Sequence, residues 1–209
     1  IITEGSGYKS AEFRVPGDYG LAAFILAIPF IAGGEVTVRG LRPDLPQSDI
    51  SIVNIIKEMG GDIEQRGDEV TARHSTLDGL TVSLRDSPDL LPVMSVLAAV
   101  ANGETIITDV KHARFKESDR ISVIASELKK AGIYVEEMPD GVKIRPGEIK
   151  PAVLDPHADH RLFMAFSLLS IYSGGRILVK DPECVAISYP QFLKDLASTG
   201  CEVEVVNDR

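Results

Sequence analysis

The sequence is poor in cysteine. Its two thiols, Cys184 and Cys201, supply neither a disulfide framework nor the four ligands of a structural metal site. Both read as reduced thiols in or near a core. Long apolar runs are also missing, and no stretch approaches the roughly 20 residues needed to cross a bilayer. The longest, Leu21–Ala32, is interrupted by Pro29 and stops at Gly33-Gly34, so it reads as a buried helix. Basic charge is scarce as well: 22 Lys and Arg stand against 31 Asp and Glu, for a net charge of -9. That balance argues against nucleic acid as a partner. An anion site would need local basic clustering against this field, and Lys111–Arg120 supplies it.

What is present suffices for a packed core. The 209 residues are 44% hydrophobic, enough for one large domain or two small ones. The chain opens on Ile1 rather than Met, and Ile1–Glu4 reads as a strand already under way. A longer parent protein is therefore expected.

The chain repeats itself about every 70 residues, and this decides the architecture. Asp18, Asp89 and Asp159 each open a long apolar helix, expected over 18–33, 88–102 and 158–173. Ser48, Ser118 and Ser188 each precede a second helix, expected over 49–59, 119–131 and 189–198. Gly60, Gly132 and Gly200 close those second helices. Between the two helices of each unit lies a short β-branched strand: Glu35–Arg39, Glu104–Val110 and Arg176–Lys180. Alternating strands are expected after each closing glycine, with hairpin turns at Arg66-Gly67-Asp68 and Asp140-Gly141. Each unit thus reads as αβαββ with a further strand at its start. Such a unit cannot bury both faces of its sheet alone, so three units sharing a helical core are predicted. The third stops before its hairpin partner, and another segment of the parent protein is expected to cover that edge.

Arg114-Phe115-Lys116-Glu117-Ser118-Asp119-Arg120 carries charge that its counterparts in the other units lack. Ser118 or Asp119 would cap the helix behind it, leaving first-turn N–H groups outward beside a Lys and an Arg. That arrangement suits phosphate or carboxylate, although a solvated charged turn would read the same way. Asp159-His160-Arg161 sits at the mouth of an apolar helix; in a purely structural role Arg161 would pair with Asp155 or Asp159. Asp89, at another such mouth, would serve as a helix cap. If the units pack about a pseudo-threefold axis, these mouths share one surface. Two carboxylates, a Lys, two Arg and a His would then face a doubly anionic substrate and move its protons.

At these residues the chain resembles the 5-enolpyruvylshikimate-3-phosphate synthase family. The resemblance rests on residues 114–120, on Glu127-Leu128-Lys129-Lys130-Ala131-Gly132 and on Asp159–Ala165. Asp181-Pro182-Glu183-Cys184 and Ser188–Phe192 complete it. It implies a two-lobed α/β fold, each lobe built of three βαβαββ units about a pseudo-threefold axis. This chain matches the lobe that holds the C-terminus, with 1–14 as the end of the inter-lobe connection and 15–209 as the lobe. The units would span about 15–84, 85–150 and 151–209. The other lobe is the expected partner, together with a short N-terminal strand of the parent protein that completes this lobe.

The implied reaction is cytoplasmic. It transfers the enolpyruvyl group of phosphoenolpyruvate to the 5-hydroxyl of shikimate 3-phosphate, through a tetrahedral intermediate and with no metal or cofactor. By the same resemblance Asp89 is the base for the 5-hydroxyl, and Glu117 exchanges the methylene proton. Lys116 and His112 join Asp89 in binding shikimate 3-phosphate, and Arg120 and Arg161 bind phosphoenolpyruvate. His160 orients and polarises nearby groups. Two positions depart from the family pattern: His112 stands where Asn is usual, and Ile187 where a phosphoenolpyruvate-binding Lys is usual. Two other readings are an impaired anion-binding lobe and a transferase acting on UDP-N-acetylglucosamine.

Overall fold

The computed structural model describes residues 14–206, together with Gly5, Gly7, Ser10 and Glu12. The strand expected at Ile1–Glu4 lies outside the described residues, as does most of the expected 1–14 connection. The first unit comprises α1 (Tyr19–Leu26), α2 (Ile28–Ala32), β1 (Glu35–Arg39), α3 (Ser51–Glu58), β2 (Asp62–Arg66) and β3 (Glu69–Arg73). The second comprises β4 (Thr81–Ser83), α4 (Leu91–Val100), β5 (Thr105–Thr108), α5 (Arg120–Lys130), β6 (Tyr134–Met138) and β7 (Gly141–Arg145). The third comprises β8 (Ala152–Leu154), α6 (His160–Tyr172), β9 (Ile177–Val179) and α7 (Phe192–Ser198). The helix expected over 18–33 is split at Ala27, because Pro29 has no N–H to donate one turn back.

The second unit is complete. β4 runs parallel to β5, which pairs antiparallel with β7 of the β6–β7 hairpin. The first unit forms the same antiparallel core, β1-β3-β2, and the third has only the parallel pair β8-β9. The alternating strand expected after Gly200 does not form: residues 201–206 belong to no ladder. In the complete unit the hairpin's second strand, β7, stands between β5 and β6. The third unit offers no such strand among the described residues, so Glu202–Val206 has nothing to hydrogen-bond, and its alternation alone does not make a strand.

α1, α2, α4 and α6 pack against one another as the shared core. They carry little polar surface: every residue from Leu91 to Ala99 and from His160 to Leu169 is buried. A helix that is apolar on all sides is stable only when enclosed. α3, α5 and α7 bury one face each, as with Ile121, Ile124 and Leu128 of α5.

The hairpin expected to turn at Asp140-Gly141 turns instead at Pro139-Asp140, and Gly141 opens β7 opposite Met138. Its glycine serves a close approach rather than the turn, since a Cβ there would collide with the carbonyl oxygen of Ile107 on β5. Gly141→Ala should therefore pry β7 from β5 at a cost of about 3 kcal/mol. A thermal melt should show the midpoint down by roughly 6–12 °C for a chain of this size.

Candidate active site

Three helix mouths converge on one end of the core. Asp18 caps α1, accepting the Leu21 N–H at 2.9 Å. Asp159 caps α6 through Oδ1, which accepts the N–H groups of Arg161 (3.0 Å) and Leu162 (3.4 Å). Asp89, expected as the equivalent cap, makes no such bond. The chain enters α4 through a 3-10 turn, Pro88–Leu90, in which the Leu90 N–H donates to the Ser87 carbonyl. The Asp89 carboxylate is thereby left for side chains.

The first turn of α5 reaches across to these mouths. Asp119 is its cap, accepting the Ser122 N–H at 3.1 Å. Arg114, the first cation of the charged heptad, belongs to the scaffold: its guanidinium donates to Asp119, Ser122, Glu137 and the carbonyls of Pro139 and Met138. Arg120 is the hub. Only 1% exposed, it donates from Nε to Asp159 Oδ2 (2.8 Å), from Nη1 to Asp89 Oδ1 (2.8 Å) and from Nη2 to Glu117 Oε2 (2.7 Å). Ser118 Oγ adds a bond to Asp159 Oδ2 at 3.1 Å. Lys116 Nζ lies 3.1 Å from Asp89 Oδ1, and Arg161 Nη2 lies 3.6 Å from Asp89 Oδ2. Arg161 thus pairs with Asp89, not with Asp155 or Asp159 as a purely structural role would have it. It stands in the first turn of α6, and Asp159 is already committed to capping that helix and to Arg120.

Charge sets the protonation of this group. Burial opposes ionised Asp89, yet Arg161, Lys116 and Arg120 outweigh it and hold the carboxyl below the usual range. His160 is 5% exposed, and burial lowers its pKa against the pull of Asp159 and Glu117, so the imidazole is neutral at pH 7. Two buried polar atoms, His160 Nδ1 and Arg161 Nη1, have no hydrogen-bond partner among the described residues. Unmet buried groups of this kind are costly, and they favour a bound anion or acceptor.

Six expected residues therefore come together or lie at adjoining helix mouths: Asp89, Lys116, Glu117, Arg120, His160 and Arg161. His112 sits exposed on the 3-10 turn Lys111–Phe115 and makes no ion pair or hydrogen bond to the cluster. Ile187 ends the 3-10 turn Pro182–Ile187 and is 69% exposed. Its first-unit counterpart Gln47 is a lock, bonding the Tyr19 N–H (3.0 Å) and the Gly17 carbonyl (2.9 Å).

Sequence reasoning missed Asp49 and Gly20. A Cβ on Gly20 would strike Asp49 Oδ2 and would lie 3.1 Å from Arg161 Nη1 and 3.2 Å from Asp18 Oδ1. This glycine gives two first-unit carboxylates access to Arg161. Burial raises the Asp49 pKa; Asp89 and Asp18 push it further, against Arg161 and Lys116. The available signal was the repeat register, in which Asp49 follows Ser48 as Asp119 follows Ser118. Among the described residues no group of three or more His, Cys, Asp or Glu is placed to hold a metal ion.

The family model for EPSP synthase (3-phosphoshikimate 1-carboxyvinyltransferase) matches residues 1–196. Relatives named 3-phosphoshikimate 1-carboxyvinyltransferase include one from Korarchaeum cryptofilum, 40% identical over 93% of this chain and 46% of its own length. Another, from Methanobrevibacter smithii, is 43% identical over 95% of this chain and 45% of its own length. The chain spans about half the length of the curated relatives it matches. An EPSP synthase structure from Acinetobacter baumannii superposes with a TM-score of 0.82 at 28% identity, covering 92% of this chain and 48% of the other. The enolpyruvyl transferase NikO from Streptomyces tendae shares the fold, with a TM-score of 0.69 at 17% identity over 91% of this chain and 44% of its own.

Asp49 yields a prediction with a definite sign. Its raised folded-state pKa means that ionising it costs the fold stability. The penalty is complete above both pKa values and absent below the unfolded value of about 3.9. Asp49→Asn should raise the thermal midpoint at pH 7 by a few degrees, and that gain should vanish near pH 3. An equal gain at both pH values would show that the carboxylate charge is not the cause.

Proposed function

Because the chain belongs to the EPSP synthase family, we propose that it forms one lobe of an enzyme making 5-enolpyruvylshikimate 3-phosphate from phosphoenolpyruvate and shikimate 3-phosphate, with release of phosphate. The observation that carries this reading is the Arg120 hub, which gathers Asp89, Glu117 and Asp159 beside Lys116 and Arg161 at one end of the core. Phosphate and carboxylate groups on both substrates match the three cations.

In this reading Glu117, in its acid form, gives a proton to the methylene carbon of phosphoenolpyruvate as the 5-oxygen attacks its C2. Asp89 accepts the hydroxyl proton. In the elimination Glu117 takes a proton back from the new methyl group, the C–O bond to phosphate breaks, and the Asp89 proton leaves with the phosphate. Asp89 is a weak base while three cations crowd it. Substrate anions that draw Lys116 and Arg161 away would return basicity to its carboxylate at the moment it is needed. Phosphoenolpyruvate can reach Arg120 only by replacing a carboxylate there, and Glu117, the most exposed of its three partners, is the one to yield. His160 and the free Arg161 Nη1 are placed to meet the same anion.

The lobe boundary at 15–209 and the dependence on a second lobe belong to this proposal. The chain's half-length coverage supports them, as does the edge of β9 that is unpaired among the described residues, which a strand from elsewhere in the parent protein would complete. An anion-binding lobe with impaired turnover is the second reading, favoured by exposed, apolar Ile187.

Calorimetry of the full-length protein with shikimate 3-phosphate, followed by a phosphate-release assay with phosphoenolpyruvate, separates the two. Turnover is expected, and binding without turnover would refute the enzyme reading. Glu117→Gln should lower kcat by roughly 100-fold or more, the span of general acid–base catalysis, while shikimate 3-phosphate affinity stays within about twofold. Ile187→Lys should lower the KM for phosphoenolpyruvate by roughly tenfold, about one charge-assisted hydrogen bond. No change would place position 187 outside the site.

A further inference from the structure

We propose that Glu127 is a positioning residue for the anion site, clamping the loop that delivers Asp159, His160 and Arg161. The proposal rests on the reading of that site given above. Glu127 lies two turns along α5 from Arg120, on the same face, and is itself 1% exposed. Its hydrogen bonds and ion pairs go to none of the cluster residues. Its Oε2 accepts the backbone N–H of Asp155 at 3.0 Å. Lys130 Nζ, at 2.7 and 2.8 Å, neutralises the carboxylate, and His157 Nε2 stands 3.7 Å away.

The segment held in this way is strained. His157 and Ala158 both adopt left-handed backbone, at φ 53° and 58°, although neither is glycine. Such residues persist only where their surroundings over-determine them. Here α5 supplies both fixed points, with Glu127 gripping the entry at Asp155 and Arg120 gripping the exit at Asp159. Asp155 reinforces the entry, its Oδ1 accepting the His157 N–H at 2.9 Å. Without the Glu127 grip the left-handed pair can relax. The amino end of α6 that Asp159 caps could then shift, and His160 and Arg161 in its first turn would lose their aim.

The test uses the full-length enzyme that carries this lobe. Glu127→Ala should raise the KM for phosphoenolpyruvate about tenfold, leave shikimate 3-phosphate affinity within about twofold, speed amide exchange at Asp155 and shift the imidazole NMR signals of His160. Glu127→Gln keeps an acceptor for the Asp155 N–H and should stay within about threefold of the unmodified KM. Ala158→Gly, added to Glu127→Ala, should recover part of the loss, since glycine adopts left-handed backbone freely. A lowered melting temperature with an unchanged KM and unchanged His160 signals would overturn the proposal. So would equal KM effects of the Ala and Gln variants. If Glu127→Ala does not fold, rapid exchange of the Asp155 amide in unmodified protein overturns it as well. An unmodified enzyme without turnover would refute the functional reading alone, leaving the exchange and NMR results to decide on Glu127.

Discussion

The buried contact between Arg120 and Asp159 is the constraint on which the rest of the site depends. Both side chains are essentially withdrawn from solvent, at 1% and 0% exposure. Removing two charges from water costs several kcal/mol per ion, which their attraction offsets only with good geometry and further bonds. Arg120 meets that condition with four hydrogen bonds to three carboxylates, and Asp159 meets it by also capping α6 and accepting from Ser118. One pair thereby ties the second helix of one unit to the first helix of the next. Fold and site are stabilised by the same atoms, so either partner replaced alone strands a buried charge.

Under the proposed function this arrangement makes substrate binding partly an exchange. Five carboxylates (Asp18, Asp49, Asp89, Glu117 and Asp159) face the three cations Lys116, Arg120 and Arg161. In the proposed function Arg161 Nη1 is an open donor among the described residues, whereas an incoming phosphate or carboxylate must displace a protein carboxylate to reach Arg120. The carboxylates it frees are the ones the proposed reaction requires as proton carriers. Asp49 is disfavoured as an anion by its burial and by Asp89 and Asp18, against the pull of Arg161 and Lys116.

The sequence made the helices legible because their signals are local: caps, closing glycines and apolar faces recurring at a period of about 70 residues. The same register brought the mouths of different units to one surface, and it located Lys116, Glu117 and Arg120. It failed where a residue's role is set across units. Asp89 occupies the position of a cap, but a 3-10 entry frees it for Arg120. Arg114 has the charge of a ligand contact and serves as a staple to the β6–β7 turn. Gly20 and Asp49 acquire meaning only beside Arg161, more than a hundred residues away. The strand expected after Gly200 has the right alternation and no neighbour, and pairing is a property that no single segment contains.

The caps described at Asp18, Asp119 and Asp159 have an electrostatic consequence. They mark the amino ends of α1, α5 and α6, and the peptide dipoles of each helix sum to about half a positive charge at that end. Three such ends meeting at one place offset part of the carboxylate excess with positive potential that belongs to the backbone. Unlike the charge on a histidine, this potential has no proton to lose. It stays fixed across the pH range in which the surrounding acids change state.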